Sequence, residues 1–326
     1  MPTSVLAGVD IGGTKTAVVL SAAPPKILHR IEFPTDPASG PEPALSRICE
    51  SLHQALACHH FSASDLQAIG VSCGSPQDPV AGVILAPPNL PTWTNIPIKS
   101  ILTSRFGVEC FLENDANAGA LAENRFGAGQ GTRNMVFLTM GTGLGAGLIL
   151  NGRLYRGVTF AAGEIGHVRL TRTGPVGFHK DGSAEGWASG GGMALAAKDA
   201  IRKALSKGET TLLASHDGPE LLTARDIWNA AQSGDAVALR IVRSTGKRLG
   251  EAMAILIDLF NPESIVVGGL ALRMGDAILG PAREVVEKEA LPESRERCRI
   301  TTAGLGEQIG DVAALCIALE GLDEQT

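Results

Sequence analysis

Two stretches of this chain share one pattern: a short apolar run, a turn rich in glycine and threonine, and a second apolar run. In the first half Val5–Ile11 leads through Gly12-Gly13-Thr14 to Thr16–Leu20. In the second half Met135–Met140 leads through Gly141–Gly147 to Leu148–Leu150. Such runs read as strands and the glycines between them as turns. The pattern recurs once in each half, so it is no short-period solenoid. It predicts two similar α/β domains facing a cleft, and 326 residues are about two domains' worth.

The first hairpin continues through Ile27–Phe33 into an antiparallel meander. Glu42–His59 carries Leu45, Ile48, Leu52, Ala55 and Leu56 at helical spacing. Leu66–Cys73 and Val108–Glu113 read as further strands, and Asn114–Phe126 as an alanine-rich helix. Asn151-Gly152 signals a tight hairpin before Arg153–Tyr155. Helices are expected over Ala188–Leu205, after Thr223-Ala-Arg-Asp226 (a capping box with aspartate in the fourth place), over Asp235–Leu259 and over Gly310–Leu322. Ile265–Val267 is a short buried strand leading into Gly268-Gly269. Gly163–Gly192 is the longest stretch without periodicity, a place where function often lies.

Charge and composition narrow the function. With 34 acidic and 28 basic residues the net charge is −6, which speaks against nonspecific nucleic-acid or anionic-membrane partners. The uncharged stretch 134–152 holds five glycines and reads as strand, turn, strand rather than a membrane helix. Met-Pro-Thr-Ser runs straight into a strand, without the basic and long apolar regions of a secretory leader. The six cysteines form no CxxC pair and are read as reduced thiols of a cytoplasmic protein.

Asp10-Ile-Gly-Gly-Thr-Lys15 is built to hold an anion. Gly12 and Gly13 let backbone N–H groups approach it, Thr14 adds a hydroxyl and Lys15 a cation; Asp10 suits Mg²⁺ held through water. Gly141, Thr142 and Gly143 repeat the recipe. Each turn taken alone reads equally well as an ordinary hairpin. No G-x-x-x-x-G-K-[ST] occurs, so this is no P-loop. A dinucleotide fold with Glu32 on the ribose needs a helix after the glycines, whereas Thr16–Leu20 is β-branched and apolar.

Five motifs in order, Asp10–Lys15, Glu113-Asn-Asp-Ala-Asn117, Gly141-Thr-Gly-Leu-Gly145, Gly163-Glu-Ile-Gly-His167 and Asn261-Pro-Glu-x-Ile265 with Gly268-Gly269, are similar to those of the ROK family (repressors, open reading frames and sugar kinases). The resemblance runs from about residue 5 to about 320. It implies an actin-like ATPase (ribonuclease H-like) α/β fold, two domains around a central cleft. The N-terminal domain would take 1–113 plus about 303–326, and the C-terminal domain 114–302. It implies ATP with Mg²⁺, a hexose or amino-sugar as substrate, and a homodimer. Asp115 matches the family's catalytic aspartate; a carboxylate there would accept the proton of the attacked hydroxyl. Asn114 or Asp115 serves as well as a plain helix cap. Asn89, Asn114, Asp115, Glu164, His167 and Glu185 match sugar ligands. Asp10, Gly12, Gly13, Thr14, Lys15, Gly141, Thr142, Gly143, Gly268 and Gly269 match nucleotide and metal positions.

One departure stands out. Kinases of this family usually follow Gly-His with C-x-C-G-x-x-G-C, which binds structural zinc with the histidine. Here Gly177, His179 and Ser183 stand in the cysteine places, and no cysteine lies between Cys110 and Cys298. His167, His179 and Asp181 make a poor tetrahedral set, so no structural zinc is expected. Ser72-Cys-Gly-Ser-Pro-Gln-Asp78 also departs from the usual Pro-Gly-Pro-Val-Asp. The sequence thus predicts an ATP-dependent kinase acting on a hexose hydroxyl, the 6-hydroxyl of glucose or an N-acetylhexosamine. The alternative is a non-catalytic sugar-binding or regulatory member; a DNA-binding head has no room before the first strand, and Asp10, Thr14, Asp115 and Thr142 are all present.

Overall fold

The computed structural model describes residues 4–215 and 221–325. The chain divides into two compact units, Met1–Gln130 with Leu305–Thr326, and Gly131–Gly304.

In the first unit β1 (Val5–Ile11), β2 (Lys15–Ser21) and β3 (His29–Pro34) form the antiparallel meander. Helix α1 (Pro41–Cys58) buries Ala44, Ile48, Leu52, Ala55 and Leu56, the face its spacing predicts. Strand β4 (Leu66–Cys73) then enters parallel to β1. A small hairpin, β5 (Gln77–Asp78) with β6 (Val83–Ile84), and helix α2 (Ile98–Phe106) precede β7 (Glu109–Glu113), parallel to β4. The sheet order is β3-β2-β1-β4-β7, and helix α3 (Asp115–Phe126) follows at once.

The second unit repeats this plan. β8 (Met135–Met140), β9 (Leu144–Leu150) and β10 (Arg153–Leu154) form its meander. A short hairpin, β11 (Val176–Gly177) with β12 (Lys180–Asp181), leads to helices α4 (Ala184–Ala188), α5 (Gly190–Ser206), α6 (Ala224–Gln232) and α7 (Ala236–Phe260). β13 (Ser264–Val267) pairs parallel with β8. Helices α8 (Leu270–Met274), α9 (Asp276–Glu289) and α10 (Pro292–Arg295) come before β14 (Arg299–Thr302), parallel to β13. Its order, β10-β9-β8-β13-β14, has the same directions as the first sheet. The hairpin duplication read from the sequence is therefore duplication of a whole five-stranded sheet.

Three boundaries differ from expectation. Strand β9 starts at Leu144, not Leu148, because Gly145 and Gly147 pair with Thr139 and Phe137 and extend the ladder. Helix α5 starts at Gly190, with Ser189 capping it through Gly192, so the glycine run forms its first turn. The first unit reaches Gln130 rather than residue 113. Helix α3 belongs to it because its Arg125 pairs with Glu320 at 2.6 Å and its Glu123 accepts the Leu305 N–H at 2.9 Å. Among the described residues no helix is long and apolar enough to cross a membrane.

The last helix, α11 (Ile309–Asp323), returns to the first unit and packs on β1, β4 and α3. Its run Val312–Ala318 is buried on every side. Backbone meets backbone at this contact. A Cβ on Gly70 would overlap the Ala314 carbonyl oxygen and stand 2.7 Å from the Ala318 nitrogen, and one on Gly8 would stand 2.9 Å from the Ala314 Cβ. Gly70→Ala must push α11 off the sheet. Overpacking against rigid backbone predicts a loss of about 3 kcal/mol or more in chemical denaturation. A variant as stable as the parent would refute the close contact.

Candidate active site

In the first unit the register lines up three side chains. Asp10 on β1 faces Ser72 on β4, which faces Glu113 on β7, at the carboxyl ends of parallel strands, where open α/β sheets bind ligands. Glu113 is buried and accepts from the Asn114 N–H (2.9 Å) and the Asn117 side-chain amide (3.0 Å). Asn114 caps α3, its Oδ1 accepting the Asn117 N–H at 2.8 Å. The plain capping role is thus real, and the Asn114 amide N–H₂ is what the residue can offer a ligand. Asp115 opens the helix, one carboxylate oxygen accepting the Ala116 N–H at 2.9 Å. Its side chain reaches water, yet burial among protein atoms pushes its carboxyl above the usual range, against the pull of its backbone N–H partners.

Asp10 is pushed up to about 6, first by burial and then by the charges of Asp115 and Asp311, while the Ser72 hydroxyl and Lys15 pull it down. Gly310, in the first turn of α11, lies so close to Asp10 that a Cβ would overlap its carboxylate. Asp311 is itself paired with Arg30 at 2.7 Å. The glycine turn beside Asp10 is pinned from β3's end: the Thr35 hydroxyl donates to the Gly12 carbonyl at 2.7 Å, and its N–H to Thr14 at 3.1 Å. Asn89 leans on the same turn; a Cβ on Gly13 would stand 2.8 Å from the Asn89 Cβ. Thr14 and Lys15 are exposed, and Lys15 pairs with Glu32 at 2.9 Å. Glu32 also pairs with Arg30 at 2.6 Å. A strand, not a helix, follows these glycines, so the dinucleotide geometry is absent here and Glu32 is an ion-pair partner.

In the second unit the turn Gly141–Gly143 is held from behind. The Gly190 and Gly191 N–H groups, at the start of α5, donate to the Gly141 and Thr142 carbonyls at 2.8 and 3.1 Å. Gly268 donates to Leu138 at 2.8 Å, and Gly269, at φ 65°, presses on the Met140 carbonyl. These glycines thus meet at one end of β8. Glu185 reaches the same turn: its Oε2 accepts the Leu144 N–H at 3.2 Å and would lie 2.6 Å from a Cβ on Gly143. Gly163 and Gly166 lie against the carbonyls of Ala146 and Leu144, which sets Glu164 and His167 along β9. Asn89, Asn114 and Asp115 are in the first unit; Glu164, His167 and Glu185 are in the second.

Where relatives of the resembled family place cysteines, a hairpin stands. Gly177 packs on Ser183, and the Ser183 hydroxyl donates to the Gly177 carbonyl at 3.3 Å and accepts the Gly186 N–H. The Lys180 ammonium donates to the His167 carbonyl at 2.8 Å, and Arg169 to the Asp181 carbonyl at 2.7 Å. Below it the Trp187 indole donates to the Thr171 hydroxyl at 2.7 Å under the guanidinium of Arg248. Among the described residues no three His, Cys, Asp or Glu side chains gather as a metal site would require, and His167, His179 and Asp181 form no such group.

Ser72 and Glu113 lie within the sequence motifs, but their part comes from strand register. Asp311, Arg30 and Thr35 had no local signal.

The model of the ROK family matches residues 6–320. A glucokinase of Halalkalibacterium halodurans is 35% identical over 93% of this chain and 91% of its own length. A glucokinase of Thermotoga maritima is 34% identical, over 98% of this chain and 99% of its own. The solved structure of a ROK family glucokinase from Streptomyces griseus, in complex with glucose and AMPPNP, superposes with a TM-score of 0.79 at 32% identity, over 98% of this chain and all of that one. The duplicated sheets are those of the actin-like ATPase fold, and the chain belongs to the ROK family.

Proposed function

We propose that this protein is an ATP-dependent hexose kinase that phosphorylates the 6-hydroxyl of glucose or an N-acetylhexosamine. The observation that carries the reading is Asp115, a carboxylate open to water at the start of a helix whose first turn Glu113 and Asn114 cap. Glucokinases similar along nearly the whole chain support the same chemistry.

Asp115 accepts the hydroxyl proton as the sugar oxygen bonds to the γ-phosphorus and the bond from that phosphorus to the bridging oxygen breaks, releasing ADP. A pKa above the ordinary carboxylate range makes the ionised aspartate a better proton acceptor. Asn89 and Asn114 in the first unit, and Glu164, His167 and Glu185 in the second, each offer amide, imidazole or carboxylate groups to sugar hydroxyls; amides and carboxylates suit vicinal diols. Gly12–Lys15 in the first unit, and Gly141–Gly143 with Gly268-Gly269 in the second, each suit phosphate or nucleotide through their backbone donors. The donor set fits Mg²⁺: Asp10 is an acid repelled by two others, and a cation held through water would relieve it. When bound, Mg²⁺ would neutralise charge on the phosphates.

Asp115→Asn keeps the shape and loses the base. It should lower kcat by ~10²–10⁴ with glucose affinity little changed. In the parent, kcat/KM should fall as pH drops through the raised Asp115 pKa, at a higher pH than an ordinary aspartate would give; the variant should lack that limb. Full turnover by a folded variant would remove Asp115 from the role.

The two glycine positions separate nucleotide from sugar. A Cβ on Gly141 meets nothing within 4 Å, whereas one on Gly143 strikes Glu185. Gly141→Ala should raise KM for ATP alone, and Gly143→Val should raise KM for both substrates. Steady-state kinetics checks this; unchanged ATP constants in both variants would count against the turn as a phosphate cradle.

The chain should also fold without zinc, its hairpin held by Ser183, Lys180 and Arg169 instead. Prolonged EDTA treatment should leave the nucleotide-free melting curve in place, while elemental analysis finds far less than one zinc per chain. Stoichiometric zinc whose removal unfolds the protein is the opposing result.

A further inference from the structure

The hairpin tip Phe178-His179 works against its own folding preference. A two-residue hairpin turn with positive φ at both positions is cheapest with Asn-Gly or Asp-Gly. The chain makes one such turn with Asn151-Gly152, at φ 55° and 81°. At the other, Phe178 stands at φ 42° and His179 at φ 62°. A bulky residue there is a strained exception. Burial does not offset the strain, since Phe178 is 66% exposed. Strain of this kind is kept where it serves a site.

The ring has a definite neighbour. Phe178 meets the His167 imidazole edge to face, centroids 6.1 Å apart at 77°. One residue earlier, a Cβ on Gly177 would stand 3.0 Å from the Glu185 Cβ. The Lys180 ammonium ties the far strand of the hairpin to the His167 carbonyl. The tip therefore sits beside two of the sugar-ligand candidates, and the exposed side chains of Val168 and Val176 add apolar surface next to it.

We propose that Phe178 is a specificity-determining residue for the acceptor sugar: its ring is an apolar platform for the C–H face of the hexose, beside the polar groups of His167 and Glu185. The inference rests on the hexose kinase reading and extends it. A hexose with all its hydroxyls equatorial shows unbroken C–H patches on both faces of the ring. An axial hydroxyl at C2 or C4 interrupts one of them. Stacked on the face that carries the C2 and C4 hydrogens, the ring favours glucose over both epimers, in the way aromatic faces favour apolar partners generally.

The test compares the parent with Phe178→Ala and with the double variant Phe178→Asn, His179→Gly, which supplies the preferred turn residues. Each is assayed for ATP-dependent transfer to glucose, mannose and galactose, for glucose binding by calorimetry, and for melting temperature. Both variants should raise KM for glucose about 3- to 10-fold, weaken glucose binding in parallel, leave kcat nearly unchanged and narrow the preference for glucose over the epimers. The double variant should melt about 2 °C or more above the parent, because the turn strain is gone. Stability and sugar affinity would then move in opposite directions, which a purely structural hairpin would not produce. Active variants that keep the parent's glucose KM and epimer preference would overturn the role of Phe178 and leave the kinase reading standing. A parent that phosphorylates no hexose would overturn both.

Discussion

The seat of α11 on the first sheet is the contact on which the candidate chemistry of that unit depends. Helix and sheet approach so closely that only glycine fits at Gly8 and Gly70. The same helix starts against Asp10 at Gly310 and holds Asp311 beside it. Its far end takes Arg125 of α3 through Glu320 and Asp323. One helix therefore braces both the strand that carries Asp10 and the helix that Asp115 begins. A shift of α11 by a methyl group's width would move two carboxylates at once, and packed interiors transmit such shifts rather than absorb them.

Around that brace the charges are arranged unevenly. Lys15 and Arg30 share Glu32 at the surface, where ion pairs contribute little and part easily. Lys15 can thus leave Glu32 for a phosphate at small cost. Asp10 has no comparable exit: it is half-buried with other acids nearby, so its carboxyl resists ionising. In the second unit the carboxylate Glu185 already lies on the glycine turn, so a ligand that shifts Glu185 also alters the backbone donors of that turn. The sugar and phosphate positions proposed there are mechanically connected through one side chain.

Much of this was legible in the chain. Apolar runs flanked by glycine located β1, β4 and β8, which are buried on both faces, and helical spacing located α1 and α7, which bury one continuous face. Thr223 and Asp226 form the reciprocal cap their spacing predicts. No local pattern marks α9, which is interrupted by Gly280 and Pro281, or β14, whose Arg-Ile-Thr-Thr has a single large apolar residue. The placing of α3 with the first unit has the same origin as the role of Asp311. Both depend on α11 meeting residues far away in sequence, and no local pattern encodes such a meeting. The glycines of α5 have little intrinsic helix propensity, and the carbonyls of Gly141 and Thr142 hold their turn instead.

The order of elements along the chain has a consequence for how the protein is made. The second unit is continuous in sequence, whereas the first is interrupted by it and completed only by residues 305 onward. During synthesis from the amino end, the strands of the first sheet emerge early but lack the helix that covers one face. The second unit has every one of its elements before that helix exists. Domains tend to fold as units while the chain is still emerging. The inserted unit can therefore settle first on the ribosome, with the earlier-made sheet waiting, its glycine-lined face uncovered. That interval is when the nascent chain is most exposed to aggregation and most in need of a chaperone, and it ends when α11 docks.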